Sequence, residues 1–457
     1  MREFIENGLY NTRLYPSDWR YSAAIIGLIK YFDYNEISYH KDVNYIEYNK
    51  EDLDREKYLN FAKDFYQEDF HHIKLLNSLN KEEYSDEDIS NINKLIKSSP
   101  SYLKSIIGKF VFDGKNEKEL IDLIKNDENN IIKETFLNGK KMYSKYCCAD
   151  KDVLLEDDKK PTCRLNGYYV DFGKKSKSIS YMFDSSTFVG ENIKEFDFVP
   201  FAFTKVYQGL FINSNKSIDS LINAYNSLNV KSGSEENSFP LLISSFKELD
   251  KANYFNVEII TKNINNKYFE TIYITQEVID IFSNAKKIEN LYNLYIKDID
   301  FNFFSVFKCI INRTRLDDII LLLIKMFLAN NDLKYTLIKW INSLIELNYL
   351  IYKSYDGGRN MTDLQKSAYG AGKRVSETLL SRNQKNKIRT YQQNLITALS
   401  NDNVDKINAI FMDISSFVGL ELNFVYNLLE DYDSNKNLIY TFIMAMYQNE
   451  KNENKGE

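Results

Sequence analysis

Three cysteines near the middle of the chain are the residues most typical of a metal site. Cys147, Cys148 and Cys163 fall within the segment KYCCADKDVLLEDDKKPTCRLNG, whereas Cys309 lies far along the chain. A structural zinc site takes four thiolate or imidazole ligands, commonly from two CxxC pairs. Two adjacent cysteines and a single one supply three ligands at most, and no histidine lies nearby in the sequence. The prediction is therefore reduced thiols, no metal and no cofactor.

The residues that could carry hydrolytic chemistry are few. The chain has only three histidines, His40, His71 and His72, and the adjacent pair falls in a predicted helix, where neighbours point in different directions. Glu258 and Lys262 lie in the predicted strand VEIITK, as in a metal-dependent nuclease. The usual one-residue gap between acid and lysine is missing, however, and no upstream aspartate is apparent. We therefore predict no catalytic residue and no enzymatic activity.

A basic segment near the C-terminal end contrasts with the rest of the chain. From Gly357 to Arg389, eight positive residues stand against two carboxylates, a net charge of +6 in a chain of formal net charge −6. Association with a polyanion depends on such local fields and not on the total charge. The sequence YGAGKR within it lacks the earlier glycine and the following Ser or Thr of a phosphate-binding loop. The residues predicted to bind nucleic acid are Lys373, Arg374, Arg382, Lys385, Lys387 and Arg389.

The spacing within this segment predicts a helix with one basic face. Arg382, Lys385 and Arg389 stand at i, i+3 and i+7, away from an apolar stripe that runs from Ile388 to Leu399. A solvated charged face is the alternative interpretation, but such faces usually mix signs and this one barely does. A basic helix face suits contact with a phosphate backbone.

Two polar loops are further candidates for DNA contact. They are GKKSKS, residues 173–178, and NSNK, residues 213–216. Lysines bind phosphates, and asparagine side chains can hydrogen-bond to base edges. Polar hairpin tips are also common without any function. The residues that we single out are Lys174, Lys175, Lys177, Asn213, Asn215 and Lys216.

The hydrophobic pattern predicts an α+β protein: a mixed α/β N-terminal body with β-hairpins, followed by an all-α helical bundle. An amphipathic helix begins after Ser17 or Asp18, and the chain is almost wholly helical from Gln276 onward. The Gly357-Gly358 pair divides two predicted domains, residues 1–356 and 357–457. The other predicted helices cover residues 51–79 and 117–137. The predicted strands are residues 37–48, a hairpin over residues 254–275, and three segments of a β-rich region from Tyr143 to Asn215, namely GYYVDF (residues 167–172), SISYMF (residues 178–183) and FDFVPFAF (residues 196–203).

The apolar segments of the sequence predict an intracellular protein. The longest apolar run, residues 319–329, is too short to span a bilayer and contains Lys325. It follows Asp317 and Asp318, which suit the start of a helix, so the run is predicted to form a buried helix. The first residues lack the apolar core of a signal peptide. We therefore predict a cytoplasmic protein with no membrane contact.

Four features together resemble the large subunit of the type I-B CRISPR Cascade, in the lineage named for a CXXC–CXXC motif. They are LYPSDWRYSAAIIGLIKYF near the start, the mid-chain cysteines, VPFAFTKVYQGLFINSNKSIDSLINAYN, and the C-terminal KIRTYQQNLITALSNDNVDKINAIFMDISSF, which is similar to the small-subunit-like bundle of that family. The resemblance covers most of the chain except residues 50–140. The chain departs from the family at the cysteines, where four zinc ligands are reduced to three.

The resemblance implies a non-enzymatic subunit of an RNA-guided surveillance complex. Such a subunit recognises the PAM of double-stranded target DNA, supports R-loop formation and recruits the helicase–nuclease. The implied partners are crRNA, target DNA, the Cascade backbone subunits, the small subunit and the CRISPR helicase–nuclease. Two alternatives remain open, a stand-alone nucleic-acid-processing enzyme and a helical protein–protein scaffold whose basic face binds an acidic partner.

The start of the basic domain suggests a second product of the same gene. In the family that the chain resembles, the small subunit can be translated from an internal start. Here Met361 follows Gly357-Gly358 directly in GGRNMTDLQ, and Gly-Gly codons can encode a ribosome-binding sequence. We predict an internal start at Met361 that gives a product ending at Glu457.

Overall fold

The computed structural model describes residues 9–81, 83–147, 154–156, 164–166, 193–205, 208–229, 238–251, 256–263, 268–329, 334–356 and 361–448. The chain divides into two compact units, Met1–Ile274 and Thr275–Glu457. Helices dominate both units and small antiparallel sheets accompany them, which confirms the predicted α+β class. In this described part of the chain, every helix is too short or too polar to cross a membrane.

The first helix, α1 (Trp19–Tyr34), is buried on almost every side in the N-terminal unit. Asp18 caps it as predicted, since its carboxylate accepts a hydrogen bond from the Arg20 backbone N–H at 2.8 Å. Gly27 lies against the backbone of Phe198, where a Cβ atom would be 2.1 Å from the carbonyl oxygen. Glycine is therefore needed at this helix position for close approach.

The backbone that Gly27 contacts is a 3-10 helix, Lys194–Ala202, so the strand predicted over FDFVPFAF is wrong. Residues 195–202 are all buried, and a strand there would need ladder partners for its carbonyls. Side chains of α1, of the next α-helix (Arg55–Phe65) and of Tyr66, which follows that helix, provide these hydrogen bonds instead. The Tyr58 hydroxyl donates to the Asp197 carbonyl oxygen (2.6 Å), the Tyr66 hydroxyl donates to the Pro200 carbonyl oxygen (2.8 Å), and the Lys30 ammonium donates to the Phe201 carbonyl oxygen (2.8 Å).

Most helices of this unit contribute to two hydrophobic cores among the described residues. One core surrounds α1 and the 3-10 helix, and a separate core, which includes Leu75, Ile96 and Ile131, joins the five consecutive helices between His71 and Asn138. The predicted helical stretches over residues 51–79 and 117–137 are each divided into shorter helices. The helices are α2 (Arg55–Phe65), α3 (His71–Ser78), α4 (Asp86–Lys97), α5 (Ser101–Ile107), α6 (Glu117–Lys125), α7 (Glu128–Asn138), α8 (Tyr143–Tyr146), α9 (Ile218–Asn229) and α10 (Ser238–Lys251).

Two antiparallel sheets complete the N-terminal unit. The first has the order β1-β3-β2, with β1 (Thr12–Leu14), β2 (His40–Lys41) and β3 (Ile46–Tyr48), so the single strand predicted over residues 37–48 is a hairpin. The second has the order β4-β5-β6, with β4 (Gln208–Asn213), β5 (Val257–Asn263) and β6 (Glu270–Ile274). Strands β5 and β6 confirm the hairpin predicted over residues 254–275. The strands predicted at residues 167–172 and 178–183 lie outside the described residues.

Among its described residues, the C-terminal unit combines helices with one small hairpin, β7 (Tyr295–Ile296) and β8 (Phe301–Asn302). The apolar run of residues 319–329 forms a helix that begins at Asp317, as predicted. The helices are α11 (Gln276–Asn284), α12 (Phe303–Ile311), α13 (Asp317–Ala329), α14 (Lys334–Asp356), α15 (Met361–Ser381), α16 (Lys385–Ser400), α17 (Val404–Val418), α18 (Phe424–Glu430) and α19 (Tyr432–Gln448).

The boundary predicted at Gly357 falls between α14 and α15, inside the second compact unit. Gly357 and Gly358 lie outside the described residues. On either side of them, α14 and α19 are joined by a buried hydrogen bond, which the Asn348 amide donates to Asn437 Oδ1 at 2.9 Å. The separate domain over residues 357–457 stays a prediction.

Candidate nucleic-acid interface

The basic segment is divided between two helices. α15 ends at Ser381 and α16 begins at Lys385, and between them Asn383 has a left-handed backbone with φ of 57°. Asparagine tolerates this conformation and commonly ends helices in this way. Arg382, Lys385 and Arg389 therefore do not share one helix face, and that prediction is wrong. The sequence signal that could have revealed the break is Asn383 itself.

Arg382 binds the end of another helix. Its guanidinium donates hydrogen bonds to the carbonyls of Phe417 at 2.7 Å and Val418 at 3.3 Å, the last residues of α17. These carbonyls have no acceptor role within the helix, and the C-terminal end of a helix favours a cation. Arg382 thus has a clear structural function.

Lys387 and Arg389 also have partners within the unit. The Lys387 ammonium lies 3.3 Å from the centroid of the Phe417 ring, a cation–π contact. Arg389 donates to the carbonyl oxygen of Leu328, in the last turn of α13, at 3.0 Å. Half of the six predicted cations therefore stabilise packing or helix ends in this structure.

The other three cations are Lys373, Arg374 and Lys385, which are exposed, as Arg382 and Arg389 also are. Lys385 is the first residue of α16. Lys373 lies 3.8 Å from Glu377 one turn along α15, a surface pair of little energetic weight. Arg374 is exposed and its guanidinium has no hydrogen-bonding or ionic partner among the described residues. These side chains lie at the surface, where a polyanion can approach them.

The YGAGKR segment lies wholly within α15, so it forms no phosphate-binding loop. Gly372 faces α19, where a Cβ atom would be 2.5 Å from the Phe442 carbonyl oxygen. This glycine therefore serves helix packing.

The structure describes one of the two predicted DNA-contact loops, residues 213–216. Lys174, Lys175 and Lys177 lie outside the described residues. The other loop is a strand-to-helix connection between β4 and α9 and not a hairpin tip. Asn213 is buried within β4 and donates to Glu258 Oε2 at 2.8 Å, whereas Asn215 and Lys216 are exposed.

Glu258 and Lys262 take part in local hydrogen bonds on β5. Glu258 accepts from Asn213, and the buried Lys262 ammonium donates to the Asn166 carbonyl oxygen at 2.8 Å. Both groups thus help to hold neighbouring segments of the N-terminal unit together.

The two adjacent histidines have different surroundings, as predicted. A ring nitrogen of His71 lies 2.8 Å from the Leu95 carbonyl oxygen. His72 is fully buried, and neither ring nitrogen has a hydrogen-bonding partner among the described residues. Burial lowers the pKa of His72 to about 4. This histidine is neutral at physiological pH.

Of the clustered cysteines, only Cys147 lies in the described part, where it is buried and its thiol contacts the Phe196 carbonyl oxygen at 3.5 Å. Cys148 and Cys163 fall outside it. Cys309 is half-buried in α12, and burial raises the pKa of its thiol. Within the described ranges, no group of three or more His, Cys, Asp or Glu side chains could hold a metal ion.

A buried ion pair near the cysteines was not predicted from the sequence. The Arg164 guanidinium lies 2.5 Å from the Asp197 carboxylate, and both side chains are almost wholly shielded from solvent. The same carboxylate accepts hydrogen bonds from the Tyr143 hydroxyl and the Leu155 backbone N–H, both at 2.7 Å. Burial raises the pKa of Asp197, and the adjacent guanidinium opposes that shift. The pair anchors the segment around Arg164 to the 3-10 helix.

Comparison with known proteins adds the family. Searches among curated proteins and among solved structures found no match. The family model of the CRISPR-associated protein Csx8 matches residues 10–251 and 234–446, which together cover both compact units. The chain therefore belongs to the CRISPR-associated Csx8 family.

Proposed function

We propose that this chain is the non-catalytic large subunit of a type I-B CRISPR RNA-guided surveillance complex. The observation that carries the proposal is the match to a CRISPR-associated family over nearly the whole chain. The resemblance of four sequence segments to the type I-B large subunit supports the finer assignment.

In this role the N-terminal unit recognises the PAM of double-stranded DNA. Asn215 and Lys216 are the candidates that the structure describes, because both are exposed at the start of α9. An amide can hydrogen-bond to a base edge and an ammonium can bind a phosphate. The β2–β3 hairpin supports this loop, since the Ile218 backbone N–H donates to the Val43 carbonyl oxygen at 2.8 Å.

The C-terminal unit contacts a nucleic-acid strand through exposed cations of α15 and α16. Lys373, Arg374 and Lys385 are the predicted residues that best suit this role, because they are exposed, whereas Arg382 and Arg389 bind the terminal carbonyls of α17 and α13. The complex would contain crRNA, backbone subunits and a small subunit, support R-loop formation, and recruit the helicase–nuclease.

The decisive experiment is reconstitution of the complex with and without this chain. The proteins encoded beside it would be expressed with a repeat array, and binding of double-stranded DNA would be measured over a library of randomised PAM sequences. We expect PAM-dependent binding only when this chain is present. Complexes of equal PAM selectivity with and without the chain would contradict the proposal.

The non-catalytic role has its own test. The purified chain is expected to show no metal-dependent cleavage of DNA or RNA and no ATP hydrolysis. Cleavage that disappears in Glu258→Gln or Lys262→Met variants would assign the chain to the nucleic-acid-processing enzymes instead.

A further inference from the structure

Gly370 lies in the middle of α15 on the face that points to solvent. The residues of α15 that are buried include Ala368, Val375 and Leu379, and Gly370 stands on the opposite side of the helix. Glycine destabilises an exposed helix interior relative to alanine. A glycine at this position therefore calls for a physical reason.

Neither packing nor backbone conformation supplies that reason. A Cβ atom built on Gly370 would meet no atom within 4 Å, in contrast to Gly372, which lies against α19. Gly370 is also absent from the residues with positive φ, so any L-amino acid could adopt its conformation. The space above Gly370 is open.

Cations surround this open space. Positions i−4, i+3 and i+4 on a helix are the nearest neighbours of residue i, and here they are Lys366, Lys373 and Arg374. All three are exposed. Lys366 lies 3.5 Å from Asp363 and Lys373 lies 3.8 Å from Glu377, in solvent-exposed pairs that a stronger anion can replace. The ring of Tyr369 is also exposed beside them.

We infer that Gly370 forms the floor of a phosphate-binding notch, in which the backbone of a nucleic-acid strand lies directly against α15. Glycine is the residue that permits such close approach of a ligand to the protein backbone. The three cations would then contact the phosphate from both sides of the notch. This inference rests on the proposed function and adds the specific place of strand contact.

The test exploits opposite effects of one methyl group. Gly370→Ala should stabilise the full-length chain, raising the melting temperature of the C-terminal unit by about 2–4 °C. The same change should weaken binding of a fluorescein-labelled single-stranded oligonucleotide by about fivefold, because one phosphate contact is displaced. Gly370→Gln, which fills the notch further, should weaken binding more.

A matched control separates helix stability from notch filling. Asn394 is exposed on α16, and Asn394→Ala raises helix propensity while it removes atoms from the surface. We expect this variant to be stabilised and to bind the oligonucleotide as the wild type does. Labelled DNA and RNA strands of the same sequence distinguish which kind of strand the notch prefers.

The outcomes distinguish this inference from the proposed function. Wild-type binding that Gly370→Ala and Gly370→Gln both retain would overturn the notch and leave the proposed function standing. A wild-type chain that binds neither strand, alone or in the reconstituted complex, would overturn both. If the Gly370→Ala and Gly370→Gln variants lose binding to an acidic protein partner while their oligonucleotide binding is unchanged, the notch is overturned and α15 is identified as a protein contact.

Discussion

At the scale of the residue, Arg374 and Arg382 show that two arginines of one basic segment can have different roles. Arg382 donates to the terminal carbonyls of α17, whereas the Arg374 side chain is exposed without an ionic partner in the described part of the chain. Both arginines contribute equally to the net charge of the basic segment, so the charge count does not distinguish them. Their roles differ because Asn383 ends the helix and turns Arg382 towards α17.

Substitution of each arginine by alanine should separate these roles. Arg382→Ala is expected to lower the free energy of unfolding by about 1 kcal/mol. Arg374→Ala should change stability by less than about 0.5 kcal/mol and reduce the salt dependence of nucleic-acid binding by about one counterion. Urea unfolding and binding at several salt concentrations measure both effects. A larger stability loss in Arg374→Ala than in Arg382→Ala would contradict the assignment.

His72 gives the N-terminal unit a dependence on pH. Burial lowers its pKa from 6.5 in the unfolded chain to about 4. Glu128 opposes this shift to a smaller extent, and Lys63 and His71 add to it. Between these values the unfolded chain binds a proton that the folded chain does not. The stability that the neutral His72 contributes is therefore fully present above pH 6.5 and is lost progressively as the pH falls towards 4.

Replacement of His72 by phenylalanine should remove this part of the pH dependence. The wild type should lose up to about 3 kcal/mol of unfolding free energy between pH 6.5 and 4 through this group. Urea denaturation at several pH values would compare the two proteins. Parallel stability curves for wild type and His72→Phe over this range would show that His72 contributes nothing to it.

At the scale of the element, Gly27 illustrates the close contact on which the N-terminal core depends. The Gly27→Ala substitution would bring a methyl group to 2.1 Å from the Phe198 carbonyl oxygen, so α1 and the 3-10 helix would have to move apart. We expect a loss of about 2–3 kcal/mol in unfolding free energy. Gly370→Ala is the matched comparison, since the same chemical change there meets open space and should be stabilising. Equal effects of the two substitutions would refute this account.

Local signals predicted the elements whose hydrogen bonds are local. Asp18 as a cap, Asp317 at the start of α13 and the β5–β6 hairpin each follow from residues near in sequence. The 3-10 helix Lys194–Ala202 did not, because tyrosines distant in sequence bind its carbonyls. Asn213 was predicted as a DNA contact because its partner, Glu258, is also distant in sequence: the two side chains meet only when β4 and β5 pair.

At the scale of the whole molecule, the acidic charge limits where a nucleic acid can bind. The chain carries a formal charge of −6 although the segment from Gly357 to Arg389 carries +6, so the rest repels a polyanion. Attraction for a polyanion is therefore confined to small basic surfaces such as the one that includes Lys373 and Arg374 on α15, and a localised attractive surface favours one orientation of the strand that approaches it. This arrangement suits a subunit that is one part of a larger nucleic-acid assembly.

A product that begins at Met361 would contain α15 to α19 without the helices that precede them. In the complete unit, the Asn348 amide donates to the buried Asn437, and the Tyr352 hydroxyl donates to the Asp433 carbonyl oxygen at 2.8 Å. Arg389 would likewise lose its partner Leu328 in α13. The short product would expose these groups and the apolar surface around them, so we expect it to be found bound to another protein and not as a free monomer.

The internal start can be tested on the gene itself. A native gene with a C-terminal tag should give a full-length band and a short band that corresponds to residues 361–457. Silent recoding of the Gly357-Gly358 codons removes the ribosome-binding sequence without changing the protein, so the short band should disappear while the full-length band is unchanged. Because the sequence of the full-length chain is the same in both genes, proteolysis would produce the short band equally from each. A single full-length band from the native gene, or a short band that survives recoding, would rule out initiation at Met361 driven by these codons.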